Sequence, residues 1–308
     1  MGLEHGRSVM KRIAVCICTF QRPAMLRRLL MSLKDQETGG LFDLSIAVVD
    51  NDREGSAGET VSGFKRECPV PVHYMIEPRQ NISLARNRAL TGVPADLFAC
   101  LDDDEIAAKD WLLNLYRTIL TYEADGVLGP VRPAYDEPPP AWLVKGRIQE
   151  RKEFPTGTTL TDPKYCRTGN VIFSGEMLAA QDRLFDPSYG RTGGEDIDFF
   201  RRAIGRGHRF VWCNEAVVQE VTPPARQKRS FYLRRALLRG VVQSQQASLA
   251  SLDSLRSVAA CLAYALALPF AFVFRNRLFM PILIRAMDHA GKLLARCGIP
   301  PVKGRSEG

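Results

Sequence analysis

Five short apolar, β-branched runs dominate the first 131 residues: IAVCICTF (13–20), LSIAVVD (44–50), VHYMIE (72–77), LFACLD (97–102) and VLGPV (127–131). Between them, AMLRRLLMSL, GETVSGFKREC, SLARNRAL and DWLLNLYRTIL carry apolar residues at helical spacing. Strands alternating with helices imply an α/β chain, with a Rossmann-like, mainly parallel sheet covered by helices on both faces. Such a sheet binds its ligand beyond the carboxyl ends of its strands. A further strand, NVIFS (170–174), follows a proline-rich excursion, AYDEPPPAWLVKGR, and precedes a glycine-punctuated helix start, GRTGGEDIDFFRRAIGRG.

Polar residues gather at the predicted strand ends. Thr19 and Phe20 close the first strand, Asp50, Asn51 and Asp52 the second, and Asp102, Asp103 and Asp104 the fourth. The stretch ACLDDDE sets four like charges side by side, an arrangement that needs solvation or a cation. If the extended backbone continues, alternation turns Asp102 and Asp104 one way and Asp103 the other. Two carboxylates on one side of a crevice suit Mg2+ or Mn2+, with a diphosphate completing the coordination. An EF-hand is excluded, because a loop starting at Asp102 has Ala107 where glycine belongs and Leu113 where glutamate belongs. No GxxxxGK[ST], GxSxG or HExxH element is present.

In GGEDIDFF (193–200), Asp196, Phe199, Phe200 and Ala203 fall at i, i+3, i+4 and i+7. That spacing predicts Asp196 on the inward stripe, with Glu195 facing away and Asp198 paired with Arg201 or Arg202 in water. A carboxylate on the inward face near a helix start suits a general base. The plainer reading is helix-dipole stabilisation by first-turn acids.

Charge is unevenly placed. Residues 1–200 hold 24 Lys and Arg against 29 Asp and Glu, whereas residues 201–308 hold 18 against 5. Residues 257–274 run without a charge through Pro269 and are followed by Arg275, Arg277 and a second apolar piece, LFMPILI. Eighteen residues is the lower limit for a span, so a helical hairpin lying in or on an anionic leaflet is expected, with a span or an amphipathic helical subdomain as alternatives. The basic tail is thus assigned to membrane and not to nucleic acid. The eight scattered cysteines contain no CxxC pair and the four histidines no ligand-spaced pair, which predicts reduced thiols and no structural zinc. With no apolar signal segment at the amino terminus, the body is expected in the cytoplasm.

CICTFQRP, VVDND, NISLARN, CLDDDE and GGEDIDFF, in this order, resemble family 2 glycosyltransferases of GT-A fold. NISLARNRAL, LDDDE…DWL, LGPVRPAY…PPAW and GGEDIDFF resemble the bacterial exopolysaccharide branch, including succinoglycan glucosyltransferases. The resemblance covers roughly residues 12–240. It implies that Cys18, Thr19 and Phe20 cradle the nucleotide base, that Asp50 and Asn51 read the uracil, and that Arg86 and Asn87 lie beside the nucleotide. The DxD element falls on Asp102, towards the ribose, and Asp104, towards the metal, with Asp103 between them. The acceptor proton falls to Asp196, next to Glu195. Gln219 stands where the family often has histidine, and the processive QxxRW element is absent, which favours addition of one sugar.

The implied organisation is a tail (1–11), a GT-A domain (12–246) with nucleotide-binding (12–133) and acceptor-binding (134–246) halves, and C-terminal membrane-associating helices (247–308). The implied activity is inverting, metal-dependent hexosyl transfer from a nucleotide sugar, with a UDP-sugar as donor and a polyprenyl-linked saccharide as acceptor. The expected location is the cytoplasmic face of the bacterial inner membrane, peripheral or monotopic. A nucleotidyltransferase and an inactive membrane-bound scaffold are the alternatives.

Overall fold

The computed structural model describes residues 10–190, 193–244, 252–273 and 277–299. Most of the expected tail, residues 247–251, Phe274 and Arg275 therefore lie outside the described residues. In chain order, the first half contains β1 (Lys11–Thr19), α1 (Pro23–Lys34), β2 (Phe42–Asp50), α2 (Gly58–Glu67), β3 (Val72–Ile76), α3 (Ile82–Thr91), β4 (Leu97–Asp102), β5 (Glu105–Ala107) and α4 (Trp111–Thr121). It continues through β6 (Gly126–Leu128), β7 (Val131–Ala134), α5 (Ala141–Lys145), β8 (Asn170–Ser174), α6 (Gly175–Ala179), α7 (Glu195–Gly205), β9 (Phe210–Trp212) and β10 (Val218–Val221). Three helices follow: α8 (Arg229–Ser244), α9 (Leu252–Val273) and α10 (Phe279–Arg296).

Seven strands form one sheet in the order β3-β2-β1-β4-β8-β6-β9. All neighbours are parallel except β8, which runs antiparallel to both β4 and β6. The α/β sheet expected from the alternating pattern is thus present and mainly parallel. One apolar cluster packs Leu26, Leu30, Phe64, Trp111 and Leu115 against one face, and a second packs Phe173, Phe199, Phe200 and Phe210 against the other. Asn170 fixes the antiparallel strand. Its Oδ1 accepts from Trp111 Nε1 at 2.8 Å, and its Nδ2 donates to the carbonyls of Pro130 and Ala216.

The run 127–131 does not form one strand. It breaks between β6 and β7 at Gly129 and Pro130, because proline has no N–H for a ladder and a Cβ at Gly129 would meet the Ala216 carbonyl at 2.3 Å. A small second sheet, β5-β10-β7, is built beside that break. Contacts divide the chain into two compact units, Met1–Pro133 with Arg151–Val221, and Ala134–Glu150 with Thr222–Gly308. Both main sheet and acidic stretch belong to the first.

In the second unit, α10 packs against both α8 and α9. Gly240 and Gly291 let α8 and α10 approach closely, since a Cβ at Gly291 would fall 2.1 Å from the Leu237 carbonyl. Helix α10 runs antiparallel along α9. Arg296 donates to Ser254 Oγ at 2.7 Å, Tyr264 lies 6.0 Å from His289, and Phe272 lies 5.6 Å from Phe279. Among the described residues, one helix, Asp253–Val273, is long and apolar enough to cross a membrane.

Candidate active site

At the carboxyl end of β4 the chain leaves the strand after Asp102, turns through residues 103–104, and enters β5. The turn ends the alternation, so Asp102 and Asp104 do not form the expected same-side pair. Instead Asp103 and Asp104 converge on one guanidinium nitrogen. Arg22 Nη1 donates to Asp103 Oδ1 at 2.9 Å and to Asp104 Oδ2 at 3.3 Å, while Thr19 Oγ1 donates to Asp103 Oδ2 at 2.9 Å. The two carboxylate side chains are 7% and 9% exposed, whereas that of Arg22 is 35% exposed. Burial pushes the Asp103 carboxyl above its ordinary range, with Arg22 opposing and Asp104 adding to the shift.

Asp102 turns to a different cation. Arg86, projecting from α3, donates from Nη2 to Asp102 Oδ1 at 3.3 Å and from Nη1 to Glu195 Oε1. The Arg86 and Glu195 side chains are 13% and 9% exposed, and that of Asp102 is 48% exposed. Burial works against the Arg86 charge, but Asp102 and then Glu195 outweigh it and hold the guanidinium more firmly protonated than usual. Glu195 Oε2 is buried without a partner among the described residues. Cys18, Arg86, Leu101, Asp102 and Thr168 line a small cleft beside the Arg86–Asp102 pair. Glu105 accepts from the Asp102 amide at 2.9 Å, and burial followed by the neighbouring Asp102 charge raises its pKa well above the carboxylate range.

Glu195 and Asp196 open α7 after Gly194, whose φ of +101° is glycine territory. The approach to this start is anchored to α3. Asn81 Nδ2 donates to the Pro187 carbonyl at 2.8 Å, and Gly190 packs so closely that a Cβ would fall 1.8 Å from Asn81 Oδ1. Beneath, Phe199, Phe200 and Ala203 are fully buried, the two phenylalanines contacting Phe173 and Phe185. Each buried phenylalanine contributes about 1.5–3 kcal/mol to holding the helix there.

The facing of the three acids differs from expectation. Glu195 is buried and ion-paired, where helical spacing predicts it facing away, and Asp196 is half-buried. Asp198 does pair with Arg202 Nε, at 2.9 Å, but is buried and not in open water. In a first turn, the direction of the approaching loop and a distant arginine override the heptad-like stripe.

Among the sequence-predicted nucleotide residues, Cys18, Phe20, Arg86 and Asp102 gather near the ends of β1 and β4 with part of their surface open. Asp50, Asn51 and Asn87 have their side-chain groups committed to backbone. Asp50 accepts from the amides of Asp52 and Ala57 and from Tyr74 Oη. Asn51 donates to the carbonyls of Glu77 and Arg79 and accepts from the Asn81 amide, while Asn87 bonds both backbone groups of Phe185. These three shape the loops around the crevice. Gln219 is exposed on β10, opposite Ile106. Arg22 is the participant that pattern reading missed. Its only signal is its place as the first cation after β1, and Asp103 lies 81 residues away.

Among the described residues no group of three or more His, Cys, Asp or Glu could by itself hold a metal ion. The donors at the β4 end are hard oxygens on two or three carboxylates, and Mg2+ and Mn2+ commonly use one or two carboxylates plus substrate phosphates. The residues fit a cation that arrives with a diphosphate, not one held by a closed protein cage.

The model for Glycosyl transferase family 2 matches residues 14–180. The chain is 32% identical over 304 residues to the succinoglycan biosynthesis protein ExoM of Rhizobium meliloti (strain 1021), covering 94% of each chain. It is 31% identical over 119 residues to ExoW of the same organism, covering 38% of this chain and 36% of that one. Among solved structures, S. aureus TarS 1-349 in complex with UDP aligns with a TM-score of 0.53 at 14% identity, over 93% of this chain and 90% of that one. The complex of the same protein with UDP-GlcNAc gives 0.53 at 14%, over 94% and 91%. At this identity the likeness to TarS shows the fold.

Proposed function

The chain belongs to glycosyl transferase family 2, and from that premise we propose that it moves a single sugar from a UDP-sugar to a lipid-linked saccharide in bacterial exopolysaccharide assembly, with inversion at the anomeric carbon. The observation that carries this reading is the meeting of the β4 carboxylates and the first turn of α7 around Arg86, at the carboxyl end of a mainly parallel sheet. UDP and UDP-GlcNAc in the TarS complexes support the donor class, and the succinoglycan role in the name of ExoM supports the polysaccharide setting.

In this reading Cys18, Thr19 and Phe20 border the base, and the loops fixed by Asp50, Asn51 and Asn87 frame the nucleoside. Asp102 faces the ribose. Asp104 would hold Mg2+ or Mn2+, which when bound supplies positive charge to the departing diphosphate. Asp196, half-buried at the helix start, takes the proton from the attacking acceptor hydroxyl. Glu195 orients that turn through Arg86.

The same reading places the protein on the cytoplasmic face of the inner membrane, with α9 lying in the plane of the leaflet. Leu255, Val258, Leu262, Leu266, Phe270 and Val273 form one exposed stripe, while Ser254, Ser257 and Ala271 on the other side are buried. Because α10 accompanies α9 along its length, a spanning α9 would draw Asp288 and Lys292 towards hydrocarbon, a cost that in-plane insertion avoids.

The test is a mass-resolved assay of the full chain with a panel of nucleotide sugars and a membrane lipid extract. UDP release matched by one added sugar on a lipid is expected. Release of pyrophosphate, or of nothing across the panel, overturns the proposal.

A further inference from the structure

Arg22 occupies the position that defines the donor end of the site, yet no role follows for it from the sequence. Its nitrogen bridges Asp103 and Asp104, placing one positive charge between two carboxylates at the end of β4. The chain is bent to bring it there. Gln21, immediately before it, has φ +53°, a left-handed conformation uncommon for a residue with a side chain, and Pro23 starts α1 immediately after it. Thr19 fixes the far oxygen of Asp103, so that carboxylate has a second anchor besides the guanidinium. Exposure is asymmetric in the same sense, with the arginine one third open to solvent and both carboxylates nearly buried. Burial disfavours its charge, but Asp103 and Asp104 outweigh that effect, and a guanidinium exposed to water is a cation in its own right.

We infer that Arg22 is a tethered counter-ion: it neutralises Asp103 and Asp104 in the donor-free protein, is displaced from Asp104 when a divalent cation arrives with the donor, and then pairs with the donor diphosphate. The inference rests on the proposal that Asp104 faces the metal and the diphosphate. It follows from charge. Two carboxylates with one guanidinium leave a single negative charge, so a free divalent cation meets a partly neutralised site and must compete with an attached rival. A diphosphate changes the balance, because it offers the displaced guanidinium two anionic groups and a planar fork-to-phosphate geometry. The device keeps the like charges of ACLDDDE from repelling one another between turnovers and couples cation binding to donor binding.

Mn2+ binding to the full chain, read by the loss of free-ion electron paramagnetic resonance signal with and without UDP, tests this independently of turnover. In the wild type, weak Mn2+ binding should tighten strongly with UDP. Arg22→Gln should bind Mn2+ alone about tenfold more tightly or better, bind UDP more weakly, and show less tightening between the two ligands. Arg22→Lys, which keeps the charge, should restore much of the wild-type coupling and guards against a folding defect in the first variant. Equal Mn2+ affinity and equal coupling in all three proteins overturns the inference. Asp104→Ala separates the two levels. Should it bind Mn2+ and UDP like the wild type, the underlying metal assignment fails; should it alone lose binding while Arg22→Gln matches the wild type, that assignment stands and only the role of Arg22 is lost.

Discussion

Two arginines meet the acidic end of β4, and each binds two carboxylates. Arg86 lies between Asp102 and Glu195 with little exposure, joining α3, β4 and α7 in a bridge buried at Arg86 and Glu195 and open at Asp102. Arg22 lies between Asp103 and Asp104 at the mouth, with one third of its side chain in solvent. Removing a charge from a buried pair strands its partner, whereas an exposed guanidinium exchanges carboxylate for water or phosphate at small cost. The chemistry is the same, but depth makes one arginine a strut and the other a movable ion. A site that binds a charged donor and releases a charged product needs both, one to keep its geometry and one to follow the changing charge.

Arg86→Met should break the comparison most severely. It leaves Glu195 buried without its cation and should cost roughly 3–5 kcal/mol of stability, read as the denaturation midpoint. Adding Glu195→Gln should recover a large part of that loss. If the single variant is no less stable than the wild type, the strut is not one.

Next comes the turn that the strut holds. Asp196→Asn keeps the shape of the side chain and should lower turnover by about 10²–10⁴ while leaving UDP affinity and the thermal midpoint nearly unchanged. Near-normal turnover in a folded protein would remove Asp196 from the mechanism and return attention to Glu195 and Asp198.

On the mouth side, Asp104→Ala should weaken UDP binding in Mn2+ by about 10–100-fold, measured by calorimetry, with little effect when the metal is chelated. Unchanged affinity in Mn2+ would detach this carboxylate from the metal. Arg22→Gln strands two nearly buried carboxylates, but at an open mouth where water reaches them, so it should cost less stability than Arg86→Met, and equal losses at the two arginines would erase the distinction between them.

The smallest effect is expected where charge is most exposed. Basic side chains near an anionic leaflet contribute about 1 kcal/mol each, so high salt should release part of the protein from anionic vesicles. Retention unaffected by salt would favour a spanning α9 over an in-plane one.

The strand and helix pattern was legible because apolar periodicity reports burial wherever the chain stays regular: β4 and β8 occupy the residues read for them, and α7 places Phe199, Phe200 and Ala203 inward. The acidic stretch, the paired glycines before α7 and the exposed apolar run were likewise visible as composition against context. Periodicity stops informing where an element ends. Asp103 and Asp104 lie in a turn, so alternation misplaced them, and Glu195 lies in a first turn, where a stripe has no preceding helix to define it. Nor does spacing report that Asp50, Asn51 and Asn87 spend their side chains on backbone groups. By itself the sequence determined the sheet, its helices and the residue types at the crevice, because those follow from local hydrophobic order. Only the tertiary structure decided which charge meets which, since Arg22 finds Asp103 across 81 residues and Arg86 finds Glu195 across 109, and the energy of an ion pair depends on separation and depth in space, neither of which is written along the chain.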